Sequence, residues 1–91
     1  MERALLQKIL EKTPGLQKAE KGFVCEDEHR ATLYLDIRGG TNTLSELVGI
    51  TLFDDYLQAE TKNRTVHNVL YEPIVGVSMH RPPKESGRTG F

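Results

Sequence analysis

Few of the 91 residues are of types that do chemistry, and their spacing narrows what that chemistry could be. Cys25 and His29 lie four apart and enclose Glu26, Asp27 and Glu28, which gives the segment some metal-ligand character. A zinc site needs a fuller donor set in fixed geometry, and the chain offers no second Cys–His pair. As a nucleophile and its base, Cys25 and His29 lack a third residue to orient them and any flanking signature. Gly39-Gly40 is not followed by the lysine and helix of a phosphate-cradling loop. No metal, cofactor or catalytic residue is therefore expected, and the chain does not read as an enzyme. His67, His80 and Arg81 remain as hydrogen-bonding or positive groups, although histidines on strands are commonly structural. Asp54 and Asp55 are adjacent carboxylates that disfavour burial, so they mark a corner between Phe53 and Tyr56.

The elements that would position these groups follow from periodicity. Glu2 to Lys12 reads as an amphipathic helix with Leu5, Leu6, Ile9 and Leu10 on one stripe, stopped by Thr13-Pro14-Gly15. Leu16 to Gly22 reads as a polar connector with room for a helical turn, and Phe23-Val24-Cys25 as a short strand or edge. In Ala31 to Arg38, Leu33, Leu35 and Ile37 alternate with Thr32, Tyr34 and Asp36, the period of a strand. Gly39 to Asn42 supplies a turn, and Thr43 to Phe53 returns with Val48, Ile50 and Leu52 on the core side. Gly49 inside that strand marks a bulge or bend. Beyond the corner, Leu57, Ala59 and Thr61 point inward, and Thr61 to Thr65 turns, with Asn63 able to take a left-handed conformation. Val66 to Tyr71 and Ile74 to His80 are the last strands, separated where Glu72-Pro73 removes a backbone donor. The fold class expected is mainly β with an N-terminal α-helix: a small, five-stranded, bent antiparallel barrel. It forms one domain over residues 1–82, with the helix capping an open end and residues 83–91 a flexible tail.

Composition bounds the rest. Hydrophobic residues at 37% and charged residues at 27% fit a globular chain. A domain this small buries only about 60–65% of its unfolded surface, so association between copies is a reasonable expectation. No apolar run reaches the length of a membrane span, and the single cysteine suits a reducing compartment, so a cytoplasmic protein with no membrane partner is expected. The net charge is −1, with +2 on residues 81–91 from Arg81, Lys84 and Arg88 against Glu85. This is not the broad basic footprint of a protein that tracks phosphate backbones.

The order of helix, long bent strand and short strands resembles the Sm-like family, which includes the bacterial Hfq proteins. Phe53-Asp54-Asp55-Tyr56 is similar to that family's F-D-x-[FY] corner between its second and third strands. Thr32-Leu33-Tyr34-Leu35 with its glycine turn fits the first strand, and Tyr71, the break after it and Ile74 to Met79 ending in Arg81-Pro82 fit the close of the domain. Where the family places a basic residue or Arg-Gly after the fourth strand, this chain has Glu72-Pro73. The resemblance implies a cyclic homo-oligomer, pentamer to heptamer, in which the fourth strand of one copy pairs with the fifth of the next. It also implies binding of single-stranded RNA, with Tyr56 stacking a base and Asp54 fixing the loop or contacting the nucleotide. His67 and Arg81 would add polar or positive groups near a pore or rim. The alternative is a structural or assembly protein with the same barrel, protein partners and no nucleic acid, which the near-neutral charge favours.

Overall fold

The computed structural model describes residues 1–81. The tail expected at residues 83–91 lies outside them. Helix α1, Arg3–Lys12, buries Leu6 and Leu10 at the i, i+4 spacing of one face, while Leu5 stays half in solvent. Thr13 ends it, its side-chain hydroxyl donating to Ile9 O at 2.6 Å.

The first correction follows the helix. Leu16 to Gly22 is not a connector: β1, Leu16–Ala19, and β2, Gly22–Cys25, form a hairpin around Glu20-Lys21, so the sheet has seven strands rather than five. Gly22 is what lets this hairpin lie against the sheet. A Cβ there would sit 1.9 Å from Ile50 O, inside any permitted contact, so only glycine fits the close approach.

Strands β3, Arg30–Ile37, and β4, Gly40–Leu52, are joined by Arg38-Gly39 alone, both at positive φ, as a two-residue hairpin turn requires. The turn is thus tighter than the expected Gly39 to Asn42. β4 is the spine of the molecule. One of its edges carries β3 along the first half and β2 along the second; the other carries β5, Tyr56–Thr61, which in turn pairs with β6, Val66–Leu70. β7, Ile74–His80, lies outside β3. Every junction is antiparallel. The five strands after the hairpin therefore run β7-β3-β4-β5-β6 across the sheet, which curls into a half-barrel. No pairing joins β6 to β7 among the described residues.

Two irregularities in β4 change which side chains face inward. Ala31 and Leu33 oppose Leu47 and Leu44, and Leu47 and Gly49 oppose Thr61 and Glu60, so β4 holds an extra residue in each register. Glu46 at φ +60 sits within the first bulge. A one-residue insertion swaps faces, so the buried residue here is Leu47, while Val48, expected inside, is only half-covered. Thr61 is likewise half-covered rather than core. In the turn after β5 the left-handed residue is Arg64, and Asn63 instead accepts hydrogen bonds from Thr65 N at 3.3 Å and Thr65 Oγ1 at 3.0 Å.

The concave face holds one core. Leu33, Leu47, Ile50, Leu57 and Ile74 are at most 2% exposed, with Leu6 and Leu10 of α1 packed into the same cluster. Val77, Met79 and Leu44 reach this cluster but remain only partly covered, because the sheet does not close over them. Among the described residues, no helix is long and apolar enough to cross a membrane.

Candidate functional site

The corner that joins β4 to β5 is built as the sequence suggests. Phe53 N donates to Tyr56 O at 2.9 Å, which leaves Asp54 and Asp55 as a two-residue tip, both exposed. The carboxylates stay in water and the flanking aromatics turn back on each other. The Phe53 and Tyr56 rings stack with centroids 5.0 Å apart and planes 25° from parallel. Tyr56 is half-buried, and on β6 its direct neighbour is Leu70. The buried Tyr71 pins the corner from below, its hydroxyl donating to Phe53 O at 2.5 Å. Burial pushes the Tyr71 phenol above its ordinary pKa, while the nearby Arg3 guanidinium pulls the other way. Beyond Tyr71, the Met1 nitrogen donates to Tyr71 O at 2.8 Å and Glu72 O at 3.1 Å, tying the start of α1 to the same region.

Beside the corner lies a cleft of about 460 Å³ between α1, the β1–β2 hairpin and the end of β4. Its walls carry the cations Arg3, Lys18 and Lys21 and the carboxylates Glu20 and Asp54, with Phe23 and Phe53 as apolar lining. These cations were not among the candidate residues. They reach the corner only through the β1–β2 hairpin and the helix start, and the hairpin's Glu20-Lys21 turn carries no Gly or Asn to announce it. Lys18 is partly engaged, 3.8 Å from Glu11.

The four expected site residues do not converge within one copy. Asp54 and Tyr56 share the corner. His67 lies three rungs along the β5–β6 ladder, about 10 Å from Tyr56, opposite Ala59. It lines a separate groove of about 600 Å³ with Glu46, Thr61, Lys62, Asn63 and Thr65. Arg81 follows β7 at this far end too, exposed, next to His80, whose Nε2 is 3.8 Å from Glu46 Oε2. The half-barrel therefore has an aromatic–carboxylate end and a histidine end.

Comparison with known proteins returned nothing: no family model, curated protein or solved structure matches this chain.

Cys25 and His29 are spoken for locally. The Cys25 thiol donates to Leu47 O at 3.2 Å, and burial raises its pKa against the lowering effect of Arg30. A raised thiol pKa works against nucleophilic use at neutral pH. His29 Nδ1 is 2.9 Å from Glu26 O. Among the described residues, no three His, Cys, Asp or Glu side chains group as metal ligands.

Proposed function

We propose that this chain is an Sm-like module that assembles into a ring of its own copies and presents the Phe53 to Tyr56 corner to single-stranded RNA. The observation that carries the reading is the half-barrel with strand order β7-β3-β4-β5-β6 and, among the described residues, no partner on the outer edge of β6 or β7. Unpaired edges seek partners, and a closed ring leaves none exposed. Apolar side chains cluster there as well: Val66 (50%), Leu70 (64%) and Val75 (56%) are among the most exposed large hydrophobics, and all lie on β6 or β7. Ring closure would also cover Val77 and Met79, which the single half-barrel leaves partly open.

For RNA, the support is a half-buried aromatic pair repeated once per copy, with Arg3, Lys18 and Lys21 lining the cleft that Asp54 and Glu20 also line. Tyr56 is the stacking residue in this reading and Asp54 the loop-fixing one. His67 and Arg81 belong to the other end, so they would act from a neighbouring copy or on a different face. Binding involves stacking and hydrogen bonding, with no bond made or broken. A single half-buried thiol suits the reducing cytoplasm.

A second reading, a scaffold that assembles and binds proteins without nucleic acid, is favoured by the exposed Asp54, Asp55 and Glu72. Tyr56→Ala separates the two. Under the RNA reading, affinity for a short uridine-rich RNA falls by about 5- to 150-fold, since base–aromatic stacking contributes about 1–3 kcal/mol, while assembly mass is unchanged. Absence of RNA binding by the wild-type chain at low salt leaves the scaffold, and loss of assembly in Tyr56→Ala makes that residue an interface residue.

A further inference from the structure

We propose that self-assembly is gated by pH through His67, whose imidazole must shed its proton before a second copy can cover it. The inference rests on the self-assembly reading above and adds how that assembly is regulated.

The outer strands leave little to titrate. β6 reads Val66-His67-Asn68-Val69-Leu70, and β7 reads Ile74-Val75-Gly76-Val77-Ser78-Met79-His80. One histidine on each strand is its only ionisable side chain. A copy that settles on these edges meets strands whose charge is set by histidine alone, the side chain that titrates between pH 5 and 8.

The two histidines are not equivalent. His80 closes β7, exposed, with its Nε2 3.8 Å from Glu46 Oε2 and with Arg30 as its partner on β3. It takes up a proton in water beside a carboxylate. His67 lies on the other face of its strand. Along β6, Val66, Asn68 and Leu70 are exposed, whereas Val69 is buried and His67 half-buried. The β5 partners of His67 and Val69 are Ala59 and Leu57, both fully buried. His67 is thus on the core side of an edge strand, where it also lines the groove of Glu46, Thr61, Lys62, Asn63 and Thr65.

Burial fixes the sign of the effect. In a single copy the uncovered part of the ring is hydrated, so the charged form is tolerated. A copy seated on the outer edge of β6 removes that water, and burial disfavours an imidazolium. The charged groups that face His67 do not reverse this. Glu46 of β4 favours the proton and Lys62 of the turn after β5 opposes it; both are exposed, and Glu46 is shared with His80. The other neighbours, Ala59, Thr61, Asn63 and Thr65, carry no charge. The neutral ring therefore favours the assembly at higher pH, and that advantage is lost as pH falls and the free copy binds a proton. For an ordinary histidine pKa of about 6.5, exclusion of the imidazolium weakens each junction about tenfold between pH 7.5 and pH 5.5. Carboxylates stay largely ionised over that interval, so the change belongs to histidine.

The test is light scattering across a dilution series of the full chain at pH 7.5 and pH 5.5. The wild type should assemble about tenfold more weakly at the lower pH. His67→Gln keeps a polar side chain without a titrating ring, and should assemble alike at both pH values. His80→Gln should keep the wild-type response. An assembled wild type indifferent to pH, or a His67→Gln variant with the full response, overturns the gate and leaves the assembly reading standing. A wild type that is monomeric at pH 7.5 overturns both. Calorimetric dilution of the wild type covers the case in which His67→Gln folds poorly. At pH 6.5, in buffers of different ionisation enthalpy, dissociation should take up about half a proton per copy. Dissociation without proton uptake overturns the gate.

Discussion

The sheet has two kinds of outer edge, and they are treated differently. β1 is four residues long, places Gln17 and Lys18 in solvent, and lies against α1, to which Lys18 is tied through Glu11 at 3.8 Å. Short length, a lysine and a covering helix are the usual means of keeping an edge from recruiting another strand. β6 and β7 have neither a lysine nor a covering helix among the described residues. They carry no Lys, Arg, Asp or Glu, expose Val66, Leu70 and Val75, and border a core left partly uncovered at Val77 and Met79. One edge of the molecule is protected against pairing and the other two are not. That contrast is the main physical support for self-assembly.

The largest expected effect breaks the protected side. Gly22→Ala forces a Cβ to within 1.9 Å of Ile50 O, so the β1–β2 hairpin must detach or β4 must bend. Unfolding in urea should show a loss of about 3 kcal/mol or more, in the range of severe steric substitutions. Charging the open side comes next. Val66→Lys with Leu70→Lys puts two cations on exposed positions of β6, and should weaken assembly by about 100-fold while changing monomer stability by less than about 0.5 kcal/mol. Light scattering across a dilution series reads the first effect and urea unfolding of the monomer the second. The converse substitution, Gln17→Val with Lys18→Val, removes the guard from β1 and should produce association larger than one ring, with mass rising with concentration. If the guarded edge stays inert without its polar residues, the helix rather than the lysine protects it.

The smallest effect is a pH dependence. Cys25 and Tyr71 both have folded-state pKa values raised by burial. For such groups the stabilising contribution is complete below the unfolded pKa and is lost as pH rises through the folded value. Stability should therefore decline on the alkaline side, first above the ordinary thiol pKa and then above that of the phenol. Cys25→Ala should remove the earlier part of the decline, as measured by thermal unfolding between pH 7 and pH 11.

The two kinds of edge were not equally legible in the sequence. β5, β6, β7 and the corner follow from local signals: adjacent Asp54-Asp55, alternation in Leu57 to Thr61, and the Glu72-Pro73 break. Each of these acts through residues next to one another. The β1–β2 hairpin has no such signal, because its Glu20-Lys21 turn uses neither Gly nor Asn, and its need for Gly22 comes from Ile50, distant in sequence. The same cause hid the cleft cations Arg3, Lys18 and Lys21, which only that hairpin and the helix start bring to the corner. The exchange of Val48 for Leu47 was hidden too, since a bulge depends on the partner strand and breaks the alternation on which the inward-facing set is read. Of the candidate site, Asp54 and Tyr56 lie together as the corner motif suggests, while His67 and Arg81 sit at the opposite end of the half-barrel.

The most direct test of the central claim is the solution mass of the wild-type chain by light scattering at micromolar concentration. Self-assembly through β6 and β7 predicts a single species of pentamer-to-heptamer size, built from 10.3 kDa copies and reduced to one copy by Val66→Lys with Leu70→Lys. A wild-type mass of 10.3 kDa that does not rise with concentration would contradict it.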